Sequence, residues 1–203
     1  QTCIAQITGM DISNSSVYEG STALAEAVRM AYRIKKPRRP KPENKHVAKR
    51  VVVSHAVNEM YRKVLKAYME PIGLTISELP YSKPSGQTNF TQRGKQFPPN
   101  GVAAVVVQSP NYLGIVEDLK QARAYADALD ALLIVVITEP VSLGVLEAPG
   151  TFGADIVVGE GQSLGCPLGF GGPYLGLFAT KEEYIDYMPG RLVAKTKELH
   201  GTL

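Results

Sequence analysis

The sequence has few of the features that mark secreted, membrane-spanning or disulfide-rich proteins. Only two of its 203 residues are cysteines, Cys3 and Cys166. That number is too small for a disulfide framework and fits a reducing cytosol. The sequence contains no run of 18 or more apolar residues that could span a membrane. The first residues lack the basic start and continuous apolar stretch of a signal peptide. We therefore expect a cytoplasmic protein with no membrane partner.

Common nucleotide and metal motifs are also missing. There is no GxxxxGK[ST] phosphate loop, no HExxH motif, and no cluster of cysteines and histidines with metal-ligand spacing. Gly159 and Gly161 follow a predicted strand, but Leu164 stands where the third glycine of a dinucleotide fingerprint would fall. These absences argue against a P-loop nucleotide-binding protein, a dinucleotide-binding fold and a metal centre.

The positive charge of the chain is concentrated in one segment. The formal net charge is +3, yet Lys35–Arg50 alone holds eight basic residues and one acidic residue. Three prolines at 37, 40 and 42 exclude a helix interior there, and no aromatic side chain is interleaved to stack on bases. We interpret the segment as an exposed, mobile connector between a helix and a strand. A partner contact and a phosphate or nucleic-acid contact are the less favoured alternatives, and we expect no nucleic-acid partner.

Apolar runs typical of strands alternate with segments of helical periodicity. Val102–Gln108 is a continuous apolar run of the kind found in strands buried on both faces. The predicted strands are Arg50–Ser54, Leu74–Leu79, Val102–Gln108, Leu132–Ile137, Ala154–Val158 and an antiparallel Leu175–Thr180; the predicted helices are Ala23–Ile34, Glu59–Tyr68, Ile115–Leu129 and Lys181–Met188. This alternation predicts an α/β fold with three layers, α/β/α, and a mainly parallel sheet.

Several smaller features complete the predicted fold. Ile4 and Ile7 lie at helical spacing near the start of the chain, and Ser13–Ser16 is expected to form a polar turn. Tyr81–Gly101 is expected to be a long loop, because it is polar and rich in proline and glycine. In the second long helix, the apolar positions assigned to one face are Met60, Val64, Leu65 and Tyr68.

Two kinds of site follow from this fold. Ligands of parallel α/β sheets lie beyond the carboxyl ends of the strands. His55 directly follows one predicted strand, and the glycine-rich stretch Val157–Pro173 follows the last parallel one. Ser21 and Thr22 stand at the start of a predicted helix, with Gly20 or Ser21 as its N-cap. Free N–H groups and the helix dipole make such a start an anion site.

Five blocks of the sequence resemble one known family. They are TGMD (8–11), YEGSTALAEA (18–27), VVVQSPNYLGIVEDL (105–119), GADIVVGEGQSLGCPLGFGGPYLGLFAT (153–180) and MPGR (188–191). Together they resemble glycine decarboxylase, the P-protein of the glycine cleavage system, and above all the first subunit of its two-subunit form. The resemblance extends in order over essentially the whole chain.

The resemblance implies the aspartate-aminotransferase-like fold of pyridoxal phosphate (PLP) enzymes, known as fold type I. It further implies that residues 1–203 form one large domain, without the N-terminal arm and the smaller C-terminal domain of a complete subunit. The usual helix between the strands at 74–79 and 102–108 is replaced here by the Tyr81–Gly101 loop.

The glycine-rich stretch lacks the lysine that PLP enzymes use to hold the cofactor as a Schiff base. By resemblance to the family's second subunit, its place falls on Gln162 when counted from Pro167 and on Ser163 when counted from Asp155. Glu139 stands where an aspartate is expected to pair with the pyridine nitrogen. No residue of this chain alone is then catalytic, no metal is expected, and PLP is expected on a partner subunit. The candidates for a vestigial or shared pocket are Ser21, Thr22, His55, Glu139, Gln162 and Ser163.

The implied function is that of the non-PLP-binding subunit 1 of glycine dehydrogenase (aminomethyl-transferring). With subunit 2, expected to form a heterotetramer, it would decarboxylate glycine and pass the aminomethyl group to the lipoyl group of H-protein. The loop Gly165–Gly172 is predicted to pack against a partner chain or against a further segment of the same domain. The alternatives are a catalytically silent binding or regulatory module of the same fold, and an autonomous PLP enzyme that uses another lysine.

Overall fold

In a computed structural model, residues 1–36, 49–91, 97 and 101–195 are described. Most of the basic connector, part of the predicted Tyr81–Gly101 loop and the last eight residues therefore lie outside the described residues. The helices are α1 (Thr2–Thr8), α2 (Gly20–Lys35), α3 (Glu59–Met69) and α4 (Leu119–Ala128), and the strands are β1 (Ile12–Ser13), β2 (Arg50–Ser54), β3 (Thr75–Leu79), β4 (Val102–Gln108), β5 (Leu132–Ile137), β6 (Ile156–Glu160) and β7 (Gly176–Thr180).

One seven-stranded sheet has the order β1-β7-β6-β5-β4-β2-β3. Strands β2 to β6 are parallel to one another, β7 runs antiparallel to β6, and β1 pairs antiparallel with β7. The predicted α/β class, the mainly parallel sheet and the antiparallel strand at 175–180 are confirmed. The register places Ile137 beside Gly159, so the carboxyl ends of β5 and β6 lie together.

Helices cover both faces of this sheet and give two hydrophobic cores. Alternate residues of β4 enter opposite cores: Val106 packs with α2 and α3, whereas Val105 packs with α4. Both faces of the strand are thus buried, which explains why its sequence is apolar without alternation. The three-layer prediction is therefore confirmed. None of the described helices has the length and apolar character that a membrane span requires.

Two helices differ from their prediction, one in where it begins and the other in its type. Helix α4 begins at Leu119 and not at Ile115, because Asp118 caps it by accepting the Gln121 N–H at 3.0 Å. Ahead of it, the Ile115 N–H donates at 3.1 Å to the side chain of Asn111. The predicted helix Lys181–Met188 is a 3₁₀ segment, Glu182–Tyr187.

Some strand and turn limits also shift. The strand predicted at Ala154–Val158 is β6, Ile156–Glu160, two residues later than expected. Residue Ser13 of the predicted polar turn belongs to β1 and pairs with Ala179. The first helix, α1, lies where Ile4 and Ile7 predicted it.

The apolar face predicted for α3 is right at Leu65 and wrong at Met60 and Tyr68. Met60 and Tyr68 are exposed, whereas Leu65 and Met69 are buried and Tyr61 is partly buried against the same core. Positions 61, 65 and 69 are four residues apart and therefore share one stripe of the helix. That stripe packs against α2 in the hydrophobic core on this face of the sheet.

Candidate functional site

The candidate site lies at the edge of the sheet where β2, β4, β5 and β6 end. Parallel α/β sheets bind ligands beyond this edge. The fold brings Glu139, Gln162 and Ser163 to the ends of β5 and β6, and it brings the start of α2 against the end of β6. His55 follows β2 and takes part in a separate group. The predicted candidates therefore form one cluster of five residues and one outlier.

Glu139 and Ser163 are direct neighbours. The Ser163 hydroxyl donates a hydrogen bond of 2.6 Å to Oε1 of Glu139. The Val141 N–H donates to the same oxygen at 3.1 Å, so Glu139 also caps the 3₁₀ turn Pro140–Gly144. The Glu139 carboxylate is thus already hydrogen-bonded to the backbone of the turn and to Ser163.

Gln162 connects the two ends of the glycine-rich stretch. Its backbone N–H donates to Oε1 of Glu160 at 3.0 Å, and its side-chain Nε2 lies 3.4 Å from the carbonyl oxygen of Gly171. Gly172 has a φ of 64°, and a Cβ there would lie 2.4 Å from the Gln162 Nε2. The Gln162 side-chain amide and the backbone at Gly172 are therefore in close contact, and only glycine fits at position 172.

His55 belongs to an exposed ion-pair group beside the edge strand β3. Its Nδ1 lies 2.7 Å from Oε2 of Glu78, and Arg62 donates to the other carboxylate oxygen at 2.7 Å. Burial alone would raise the pKa of Glu78, but the hydrogen bonds from His55 and Arg62 outweigh it and lower that pKa. The histidine is thereby held toward β3, away from the ends of β5 and β6.

The start of α2 is capped by Glu19, and the predicted caps Gly20 and Ser21 are wrong. Glu19 accepts the Ser21 N–H at 2.7 Å and the Thr22 N–H at 2.6 Å. The Ser21 hydroxyl donates to the same carboxylate at 2.7 Å. Short polar residues are the usual caps, and the longer glutamate achieves the same result here by folding back. Burial raises the pKa of Glu19, but these hydrogen bonds outweigh it and lower the pKa below its usual value.

Glu160 is the residue of the site that sequence reasoning missed. It ends β6, and its Oε2 accepts the Gly20 N–H at 3.0 Å. Its Oε1 accepts the N–H groups of Gln162 at 3.0 Å and Leu175 at 2.8 Å. A glutamate at the end of a buried strand, between Gly159 and Gly161, was the available signal.

Tyr61 of α3 lies directly over the start of α2. A Cβ added to Gly20 would lie 2.0 Å from the Tyr61 hydroxyl oxygen. Burial, together with the carboxylates of Glu160 and Glu19, raises the pKa of Tyr61 above its ordinary value. The phenol therefore stays neutral, and it closes the space beside the two carboxylates.

These residues do not fit PLP as a resident group. The positions expected for a Schiff-base lysine carry an amide and a hydroxyl, neither of which can form an imine. Within the described part of the chain, no hydrogen bond or ion pair joins a lysine to Glu139, Gln162 or Ser163. Lys181 instead pairs with Asp155, at the opposite edge of the sheet. The helix start that could hold a phosphate already carries two carboxylates.

A second buried polar network supports the same edge of the sheet. Glu117 is 5% exposed and accepts hydrogen bonds from the Thr88 N–H at 2.9 Å, the Thr88 hydroxyl at 2.8 Å and the Asn111 amide at 2.8 Å. This network joins the segment after β3 to the segment after β4. No sequence pattern predicts the network, because Thr88 lies 29 residues from Glu117 along the chain.

An open cleft of about 890 Å³ lies beside α2 and α3. Of the predicted candidates, only Thr22 contributes to its lining. The other lining residues include Tyr18, Glu26, Tyr68, Tyr174 and Arg191.

Comparisons with known proteins assign the family. The family model described as "Glycine cleavage system P-protein" matches residues 1–203. The chain belongs to the glycine cleavage system P-protein family. A curated relative, the probable glycine dehydrogenase (decarboxylating) subunit 1 of Thermotoga petrophila, is 44% identical over 203 residues. That alignment covers 100% of this chain and 42% of the relative. The chain therefore spans about two-fifths of the length of the P-family relatives it matches.

Solved structures agree with both the family and the fold. A crystal structure of glycine decarboxylase (P-protein) of the glycine cleavage system, in inhibitor-bound form, is 43% identical with a TM-score of 0.84. The match covers 99% of this chain and 42% of that one. A sphingosine-1-phosphate lyase from Burkholderia pseudomallei has a TM-score of 0.65 at 13% identity, covering 92% of this chain and 44% of its own. At that identity the likeness shows the fold alone, which is fold type I of the PLP-dependent enzymes.

Proposed function

We propose that this chain acts as the non-PLP-binding subunit 1 of glycine dehydrogenase (aminomethyl-transferring). The observation that carries the proposal is the identity of 44%, across the whole chain, to a protein named as subunit 1 of that enzyme. With a second subunit that bears PLP, it would decarboxylate glycine and transfer the aminomethyl group to lipoylated H-protein. The complex would be a cytoplasmic heterotetramer, with residues 1–203 serving as one large domain of subunit 1.

The residues of the candidate site favour a structural role for this chain and not a catalytic one. Gln162 and Ser163 lack an amine, and both are engaged in hydrogen bonds that hold the loop and Glu139. When bound on the partner subunit, PLP would supply the electron sink for decarboxylation. What this chain would contribute is a rigid surface beside the partner's site. Ser21, Thr22, Glu139, Gln162 and Ser163 would belong to a vestigial or shared pocket, and His55 would lie outside it.

The loop Gly165–Gly172 is the surface proposed to meet subunit 2. Leu168 is 72% exposed, and Phe170 is fully exposed with a φ of 53°, which is uncommon for a residue other than glycine. Exposed apolar side chains grouped in one loop mark interaction sites. Hydrogen exchange in this loop should slow when subunit 2 is added, and equal exchange with and without it would contradict the interface.

Reductive labelling tests the absence of a covalent cofactor. The chain and a subunit 2 homologue are each mixed with PLP, reduced with borohydride and mapped by mass spectrometry. The homologue should be labelled at one lysine, whereas this chain should show only scattered, low labelling of exposed lysines. The variant Gln162→Lys should not gain activity, because catalysis also needs groups that place the cofactor ring and phosphate.

Copurification tests the complex. The chain should elute with the subunit 2 homologue, and glycine decarboxylation with H-protein should require both. A uniquely labelled lysine in this chain, with a glycine-dependent spectral change, would instead support the autonomous PLP enzyme. Failure to bind subunit 2 would support a silent module.

A further inference from the structure

The first three N–H groups of α2 all donate to carboxylate oxygens of the chain itself. Gly20 donates to Glu160 at 3.0 Å, and Ser21 and Thr22 donate to Glu19 at 2.7 and 2.6 Å. A helix of 16 residues offers these N–H groups together with the positive end of its dipole. An external anion would have to displace both carboxylates to reach them.

Glu160 differs from Glu19 because it comes from a distant part of the chain. It lies 140 residues from Gly20, and it joins the end of β6 to the start of α2. Its other oxygen accepts the N–H groups of Gln162 and Leu175, which flank residues 163–174, here called the glycine-rich loop. Beside them, the Gly161 N–H donates to the Leu175 carbonyl at 2.6 Å. The Glu160 carboxylate therefore connects three segments, namely the start of α2, the residues after β6 and the residues before β7.

While the Glu19 and Glu160 carboxylates are in place, steric contacts leave no space for an additional anion at this point. A Cβ on Gly20 would lie 2.0 Å from the Tyr61 hydroxyl oxygen and 3.0 Å from the Glu160 backbone nitrogen. A Cβ on Gly176 would lie 2.8 Å from the carbonyl oxygen of Glu19. Tyr61, Gly176 and the start of α2 are thus packed as closely as glycine permits.

We propose that Glu160 is a built-in anion, which with Glu19 occupies the α2 start, excludes phosphate-bearing ligands from it, and closes the base of the glycine-rich loop. The proposal deepens the proposed function, because it gives a physical reason for a cofactor to reside on the other subunit. It assigns Glu160 a positioning role in this chain.

The first test is a titration of the full 203-residue chain with inorganic phosphate, followed by the amide NMR signals of Gly20, Ser21 and Thr22. In the wild type these signals should not shift in a saturable way. The double variant Glu19→Ala/Glu160→Ala, which frees the three N–H groups, should gain a saturable shift there. The matched control Glu182→Ala removes an exposed acid and should behave as the wild type does. A saturable wild-type shift would overturn the proposal, and so would a folded double variant that does not respond.

A second test needs no ligand and no double variant. Hydrogen exchange is measured in Glu160→Ala and in Glu160→Gln, which keeps an acceptor oxygen. Glu160→Ala should speed exchange at both Gly20 and Leu175, and Glu160→Gln should speed it less. If exchange at either amide equals that of Glu182→Ala, the joint closure of helix and loop is wrong. These measurements use this chain alone, so loss of the complex with subunit 2 would count against the proposed function and not against Glu160.

Discussion

The two ends of β6 each carry an acidic residue, and the two are stabilised in different ways. Asp155, just before the strand, has a side chain 5% exposed and pairs with Arg123 at 2.7 Å and with Lys181. It also accepts the Leu133 N–H at 2.8 Å. Glu160, at the other end, accepts hydrogen bonds from three backbone N–H groups and, among the described residues, from no side chain. The charge at one end is balanced by cations, and the charge at the other is satisfied by main-chain donors.

This difference separates a structural edge of the sheet from the edge where the fold binds ligands. Arg123 and Lys181 neutralise Asp155 in a fixed ion-pair cluster, and Tyr184 lies close enough to sense the Asp155 charge. Burial, followed by the neighbouring Asp155 carboxylate, raises the pKa of Tyr184 to about 12, so this phenol remains neutral. Backbone donors around Glu160 are the kind that a bound anion would use. The second carboxylate therefore stands where a ligand group would stand.

Removing the carboxylate of Asp155 should have the largest effect. Asp155→Ala leaves Arg123 and Lys181 without their buried partner, and breaking such a pair costs roughly 3–5 kcal/mol. Unfolding in urea gives the loss directly. Asp127→Ala is the matched control, because Asp127 pairs with the same arginine at 2.7 Å but is 65% exposed. Its cost should stay below about 1 kcal/mol, and equal losses in the two variants would contradict the structural role of Asp155.

Glu160→Ala should destabilise the chain less. Three N–H groups lose their acceptor, but water can reach some of them, so the expected loss in unfolding free energy is about 1–3 kcal/mol. The loss should be smaller than for Asp155→Ala, because no cation is left unpaired. A Glu160→Ala loss equal to that of the surface control Glu182→Ala would show that the backbone contacts of Glu160 add nothing to stability.

Gly20→Ala tests the close packing at the α2 start. The new Cβ overlaps the Tyr61 hydroxyl, and overpacking of this kind costs roughly 1–3 kcal/mol. Part of that cost should be recovered in Gly20→Ala/Tyr61→Phe, which removes the overlapping oxygen. Melting temperatures of the two single variants and the double variant complete the cycle. Strict additivity would mean that Tyr61 and Gly20 do not interact.

The smallest effect concerns Glu19 and depends on pH. Its pKa is lowered in the folded state, so its contribution to stability is fully present above the unfolded pKa, about 4.3. That contribution is lost as the pH falls through the lower, folded-state value. At neutral pH, Glu19→Ala should cost about 1 kcal/mol, as other lost caps do. Measured by urea unfolding, the difference in unfolding free energy between the wild type and Glu19→Ala should become smaller as the pH falls. A difference that grows with acidity would contradict the lowered pKa of Glu19.

The fold could be predicted because its strands are buried on both faces. Continuous apolar runs such as Val102–Gln108 and Leu132–Ile137 are short and rich in β-branched valine and isoleucine, which favours strands over helices. Helix limits were harder to predict, because they depend on side chains outside the helix. The start of α4 is set by Asp118 and by contacts of Asn111 with the preceding segment. Likewise, the partner of α3 decided which of its residues face inward.

The candidate site could be predicted in place but not in detail. Its location follows from the rule for parallel sheets, and the lack of an amine at 162 and 163 is visible in the sequence. The hydrogen bond from Gly20 to Glu160 joins residues 140 positions apart, which no local pattern encodes. The same holds for His55, whose pairing with Glu78 depends on β3 lying beside β2.

The contacts of Glu160 also have a consequence for the energetics of folding. A ligand that binds the folded state stabilises it by an amount that rises with the ligand's free concentration. A carboxylate attached to the same chain has a fixed effective concentration at its binding point. The start of α2 is thus held equally well whatever the supply of small anions. Its stability should not change when phosphate is depleted or added.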